Sequence, residues 1–241
     1  THPRVGIVIQ ARMTSKRFPG KSMALLAGKS LLQHVIERCK EIDVSKKLNK
    51  LIIVAVPDTP ESEPLLQLAD SLNVENFCGS ENNVLERYYG AAQLLKLNHI
   101  MRITADCPLI NPTVCAEVLN LHIWRKCDYT SNIHPKRTYP KGLDCEVFTF
   151  DCLEAAYVKV IEHWHQWNDS DKLIAGIEIK RARGDMEHVT SFMQRETLIK
   201  KSLLSQKQNR SNQNLCVDVP EDIERLEKIM SRKPKLKVVF K

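Results

Sequence analysis

The chain has 241 residues, 43% of them apolar, and a formal net charge of +7. That length and apolar content suffice for the core of one α/β domain, and no apolar run is long enough to cross a bilayer. Aromatic residues are only 6% and the cations are spread along the chain, so the positive field suits a small polyanion better than a nucleic acid.

The amino terminus lacks a signal-peptide pattern, and a start at Thr1-His2-Pro3 without methionine implies a processed or trimmed chain. Eight cysteines with no C-x-x-C pair do not read as a disulfide framework or a zinc site. Cys39, Cys107 and Cys115 are expected as buried reduced thiols, and the compartment as cytoplasmic.

The apolar run Val5-Gly6-Ile7-Val8-Ile9 has the pattern of a buried parallel strand. It opens into a loop with Arg12, Lys16, Arg17 and Lys21, no acid among them, punctuated by Pro19 and Gly20. A first strand that ends in a cationic turn places its charge at the carboxyl edge of an α/β sheet, where a polyphosphate fits. The alternative is a solvated basic loop.

Downstream, Leu31, Leu32, Val35, Ile36 and Cys39 form a helical stripe with Ser30 as candidate N-cap. Leu51 to Val56 reads as a second buried strand, and Thr59-Pro60 as the start of a helix. This alternation predicts a doubly wound, mostly parallel sheet with helices on both faces. Val74 to Cys78 reads as a third strand, and Asn83 with Glu86 as a capping box.

An apolar strand from Ile100 runs to Asp106, and Asn111-Pro112 caps a helix through Trp124 with Val114, Val118, Leu121 and Trp124 facing inward. Tyr129 to Ile133 and Leu143 to Phe150 read as strands, the second placing Asp144 and Glu146 on one face. Acids unpaired on an inner face are costly and would mark a polar cleft; solvated edge residues are the alternative. A helix capped at Asp151 follows, then a short strand at Ile177-Glu178-Ile179. Near the end a strand closes at Asp218, and Pro220 opens a helix with acids in its first turn.

Gln10, Ala11, Arg12, Ser15, Arg17, Pro19, Gly20 and Lys21 spell Q-A-R-x-x-S-x-R-x-P-G-K. This string resembles the signature of the SpsF-type cytidylyltransferases of polysaccharide biosynthesis, homologues of CMP-KDO synthetase. Gly79-Ser80 with Val84, Leu85, Arg87 and Tyr88, Ala105-Asp106-x-Pro108, the Arg137-to-Phe148 segment, Glu187-His188-Val189-Thr190 and Val217-Asp218 match later motifs in family order. One departure is Thr14, where the pattern usually has glycine; a β-branched residue resists φ > 0 there.

The resemblance implies a single Rossmann-like nucleotidyltransferase domain over 1–241, with a small antiparallel acceptor or dimerisation element in 134–200. It implies transfer of CMP from CTP to a sugar, an acidic one in the nearer relatives, with release of pyrophosphate and with magnesium as cofactor. The catalytic cations would be Arg12, Lys21 and Arg17. The nucleotide site would comprise Ala11, Arg12, Ser15, Arg17, Lys21, Gly79, Ser80 and Arg87, although Arg87 read alone is a surface helix residue. Asp106 and Asp218 would hold the metal, Asp106 otherwise being a turn former before Pro108. Arg137, Lys141, Asp144, Glu146, Glu187 and His188 are candidates to face the acceptor, with core or surface helix as the default for the last two. The implied partners are CTP and a sugar, neither nucleic acid nor membrane, with room for a homodimer.

The family pattern is shorter where Trp164 to Arg183 stand, so this stretch reads as an insertion that could be a dimer arm, a lid or a decorated loop. Within it Asp169-x-Asp171 matches the metal motif of nucleotide-sugar glycosyltransferases, the enzymatic alternative, while a nucleotide- or nucleic-acid-binding module is the non-enzymatic one.

Overall fold

The computed structural model describes residues 2–168 and 173–231. In chain order the strands are β1 (Arg4–Gln10), β2 (Leu25–Leu26), β3 (Lys29–Ser30), β4 (Asn49–Pro57), β5 (Glu75–Gly79), β6 (His99–Thr104), β7 (Tyr129–Ser131), β8 (Glu146–Thr149) and β9 (Lys201–Leu203). The helices are α1 (Leu31–Lys40), α2 (Glu63–Ser71), α3 (Val84–Leu94), α4 (Pro112–Arg125), α5 (Phe150–Asn168), α6 (Leu173–His188), α7 (Ser191–Arg195) and α8 (Glu221–Ser231).

Seven strands form one sheet in the order β5-β4-β1-β6-β8-β7-β9, while β2 and β3 make a separate hairpin. β1 pairs in parallel with β4 and β6, and β8 runs antiparallel to β6 and β7. The apolar run of β1 is central because Val5, Ile7, Val8 and Ile9 are fully buried, which requires cover on both faces. One face is covered by α1, α2 and α4 through Leu32, Val35, Leu65, Val118 and Leu119. The other is covered by α3, α5, α6 and α7 through Leu85, Tyr88, Leu153, Val160, Met186 and Met193. The fold is therefore doubly wound and mixed α/β. From β1 the chain passes through α1 to β4 on one side, and from β5 through α3 to β6 on the other, so the order reverses between β1 and β6. Ligands of such sheets bind in the crevice at that reversal.

Local capping follows the sequence, except that Asn83 N donates to Ser80 Oγ and not to Glu86, so the expected capping box is half made. Ser30 Oγ accepts from Gln33 N at 3.1 Å, Asn83 Oδ1 from Glu86 N at 3.0 Å, and Asn111 Oδ1 from Thr113 N at 2.9 Å. Four expectations are corrected. Thr149, one residue before α5, accepts from Cys152 N, so the cap is not Asp151. Ile177-Glu178-Ile179 lies inside α6, which packs along α5; three alternating residues are too few to set a strand against a helical partner. Trp124 is 76% exposed because His122 takes the inward position, and two residues further lies about 200° around the helix. Leu215 to Asp218 is extended but is no strand: Leu215 N donates to Lys141 O and Val217 N to Asp106 O, two separate loops that offer no continuous ladder.

Candidate active site

Two glycines shape the cationic loop and its neighbour. Gly20 has φ +71°, a left-handed turn that lets its N–H reach Met13 O at 2.8 Å and starts the single helical turn Lys21–Met23. Gly142 has φ +98°, and a Cβ there would stand 2.6 Å from the Leu215 carbonyl carbon. Only glycine lets the Leu215–Asp218 segment press against the loop that carries Lys141.

That approach brings the two expected metal acids together. Lys21 Nζ donates to Asp106 Oδ2 at 2.8 Å and to Val217 O at 3.2 Å, and lies 4.0 Å from Asp218 Oδ1. Arg17 reaches Asp218 Oδ1 at 3.0 Å and Lys141 reaches Asp218 Oδ2 at 2.9 Å. Burial alone would push the Asp106 carboxyl up; the charge and hydrogen bond of Lys21, with Thr104 and Cys107, outweigh it and hold the group below its usual range. The hydrogen bond to Asp218 raises the Lys141 pKa.

The donor set fits magnesium. Two carboxylates from separate loops already flank one cation, and hard oxygen ligands in that number leave room for phosphate oxygens and water. Among the described residues no group of three or more His, Cys, Asp or Glu could hold a metal by itself.

Of the residues expected to bind the nucleotide, Ala11 is buried and its N–H donates to Ala55 O, which roots the loop in the sheet. Ser15 N donates to Met13 O. Arg12 is exposed, and among the described residues its side chain makes no hydrogen bond or ion pair. Thr14 is not in the left-handed region, so the strain expected there is absent; its hydroxyl instead reaches Glu81 Oε1 at 3.4 Å.

Arg87 corrects its expectation. It is 1% exposed and donates to Ser80 O at 3.0 and 2.7 Å, and to Glu81 O at 3.3 Å. It is therefore no surface helix residue: its Nε and Nη2 shape the Gly79–Glu81 loop from within. Burial lowers its pKa, and the charge of Arg12 acts in the same direction.

Of the residues expected to face an acceptor, Arg137 and Asp144 pair at 2.5 and 2.8 Å. Glu146 is 1% exposed and bound to Arg102 at 2.6 Å, Tyr129 at 2.5 Å, Thr190 at 2.8 Å and Gln194 at 3.2 Å. Neither acid is unpaired, and only Asp144 is partly open to solvent: its partner Arg137 stands seven residues away in the same loop, whereas those of Glu146 come from β6, β7 and the start of α7. Glu187 and His188 are exposed at the end of α6, whereas Thr190 two residues on reaches Glu146. Asp169 and Asp171 lie outside the described residues. Arg102 and Gln194 were missed by sequence reasoning, and Thr190 appeared only as part of a motif; an arginine in an otherwise apolar strand was the one signal for Arg102.

A family model described as cytidylyltransferase matches residues 6–240. The chain belongs to the cytidylyltransferase family. A cytidylyltransferase from Leptospira borgpetersenii serovar Hardjo-bovis has a similar structure, with a TM-score of 0.76 at 27% identity, covering 96% of this chain and 88% of that one. The synthetase for CMP-2-keto-3-deoxy-manno-octonic acid, complexed with CTP, shares the fold at a TM-score of 0.64 and 15% identity, covering 95% and 99% of the two chains. Among curated relatives, an uncharacterised Methanocaldococcus jannaschii protein is 36% identical over 159 residues. The spore coat polysaccharide biosynthesis protein SpsF of Bacillus subtilis is 27% identical over 160. Each match covers 66% of this cytidylyltransferase-family chain and 62% or 65% of the relative. Among the described residues no helix is long and apolar enough to cross a membrane.

Proposed function

We propose that this chain is a CTP-dependent nucleotidyltransferase that converts a sugar, an acidic one by the names of several relatives, into its CMP derivative with release of pyrophosphate. The observation that carries this reading is the convergence of Asp106 and Asp218 on Lys21 beneath Arg17 and Lys141, at the carboxyl edge of the sheet. Anions are expected to exchange into that cluster. Phosphate oxygens would take the Arg12, Arg17 and Lys21 donors, leaving both carboxylates to magnesium, which when bound neutralises the departing pyrophosphate and aligns the phosphate chain.

An acceptor hydroxyl would then attack the α-phosphorus in line; the new C–O–P link forms as the bond to pyrophosphate breaks, and the hydroxyl proton passes to solvent. Most of the acceleration comes from position and charge stabilisation. Lys141 and Arg137 would face the acceptor, whose carboxylate would displace their acidic partners Asp218 and Asp144.

A thermal-shift panel of nucleoside triphosphates with and without magnesium tests the reading. Ligand at about a hundredfold over its dissociation constant adds roughly 2.7 kcal/mol, a shift of several degrees. CTP with magnesium should give the largest shift, and pyrophosphate should appear when 3-deoxy-manno-octulosonate or a related sugar is added. A preference for another base, or no pyrophosphate with any acceptor, sinks it.

A further inference from the structure

A second polar cluster lies on the opposite face of the sheet from the α1–α2–α4 core. Alternation along β1 puts Ile7 and Ile9 into that core, and Gly6, Val8 and Gln10 toward α3 and α5. Arg102 is in register with Val8, and Thr104 with Gln10. Gln10 and Thr104 are thus the last residues of the two strands that flank the crevice where the strand order reverses, and both are half-buried.

The amide of Gln10 has a defined orientation. Arg102 Nη2 lies 3.4 Å from Gln10 Oε1, and a guanidinium can only donate, so the carboxamide oxygen must face it. The NH₂ end is turned the other way, and no described residue accepts from it. Arg102 is itself immobilised by Glu146, whose second oxygen is occupied by Tyr129, Thr190 and Gln194. Its Nε is buried with no partner, a cost borne for the orientation of the rest of the group.

Resting on the nucleotidyltransferase reading, we propose that Gln10 donates its amide N–H to a hydroxyl of the acceptor sugar, and that Arg102 is the positioning residue that aims it. The place supports this assignment. The Gly79–Glu81 loop lies on one side of β1, the cationic loop follows β1 itself, and Lys141 and Asp144 lie beyond β6, so Gln10 stands between the nucleotide and acceptor portions. The chemistry supports it too. Arg102 is neutralised by Glu146, so the floor presents a neutral donor, suited to a hydroxyl rather than to a phosphate or a carboxylate.

The test compares wild type with Gln10→Met, which keeps length and removes the amide, and with Arg102→Lys. Calorimetry measures CTP affinity with magnesium, and pyrophosphate release measures the acceptor KM, with 3-deoxy-manno-octulosonate and neutral hexoses as probes. The expected result for Gln10→Met is a CTP affinity within about twofold of wild type and an acceptor KM raised about tenfold, the loss of one neutral hydrogen bond. Arg102→Lys should move the same constant in the same direction.

Should Arg102→Lys fail to fold, the side-chain amide resonances of Gln10 in ¹⁵N-labelled wild type, identified by their loss in Gln10→Met, supply the second measurement. They should shift when a probe sugar is added to the complex with CTP and magnesium. Resonances that respond to CTP alone or to no probe sugar, or a Gln10→Met enzyme that weakens CTP or leaves both constants unchanged, overturn the proposal. A wild type that binds CTP yet releases no pyrophosphate overturns the functional reading instead, and the resonance shifts still decide the role of Gln10.

Discussion

Two ion-pair clusters flank the same sheet edge, and they differ in what surrounds them. Around Asp218 the partners are accessible: Arg17 is 67% and Lys141 49% exposed, so water and ligand oxygens can replace them. Around Glu146 the carboxylate is 2% exposed and every oxygen is taken by protein donors. Similar carboxylate–cation pairs therefore serve opposite ends. Exposed pairs are worth little and exchange readily, whereas a buried one must remain intact because breaking it strands a charge. On the proposed reading the first cluster trades partners with a nucleotide and a metal; the second can only hold its shape.

The largest test of that contrast is Glu146→Gln. It leaves Arg102 buried without its counter-charge, expected to cost about 3–5 kcal/mol and to lower the melting temperature by roughly 6–20 °C in thermal denaturation. A change of a degree or two would mean the buried cluster is not the rigid one. Asp106→Asn should do the reverse. Pyrophosphate release should fall at least about a hundredfold through loss of charge stabilisation, with a smaller loss of melting temperature than for Glu146→Gln, since Lys21 keeps Val217 O and Asp218 beside it.

Acid titration separates both clusters from a third polar pair. His122 is buried against His99 and Thr130, and desolvation, with the charge of His99, lowers its pKa to about 3. Its folded pKa lies below the unfolded 6.5, so its contribution is complete above pH 6.5 and is lost as pH falls from there toward 3. Melting temperature measured from pH 7 to 4.5 should decline in wild type and decline less in His122→Gln. Asp106 and Glu146, held below their ordinary values, give way only at lower pH. The smallest effect is expected for Lys141→Ala, below about 1 kcal/mol in stability since the pair is half-exposed, with a measurable rise in KM for the acceptor.

Much of this was legible from residues alone. The buried run of β1, the caps at Ser30, Asn83 and Asn111, and the cationic loop all follow from local pattern, since each depends on neighbours within about four residues. That Asp106 and Asp218 share one site was expected from a motif resemblance, and the structure sets both beside Lys21. What local pattern missed was long-range. Arg87 read alone looked like a surface helix residue and is buried against its own loop; Glu146 looked like a cleft acid and is a sealed one; Arg102 and Gln194 carried no signal strong enough to select them, and Thr190 appeared only as part of a motif.

The order of residues thus decided which segments become strands and helices and which loop carries positive charge, because backbone conformation and amphipathic period are short-range properties. Whether a given charge is exchangeable or fixed was decided only when β6, β8 and α7 packed together, because solvent exposure and the count of competing donors depend on elements about 40 to 90 residues apart in the chain.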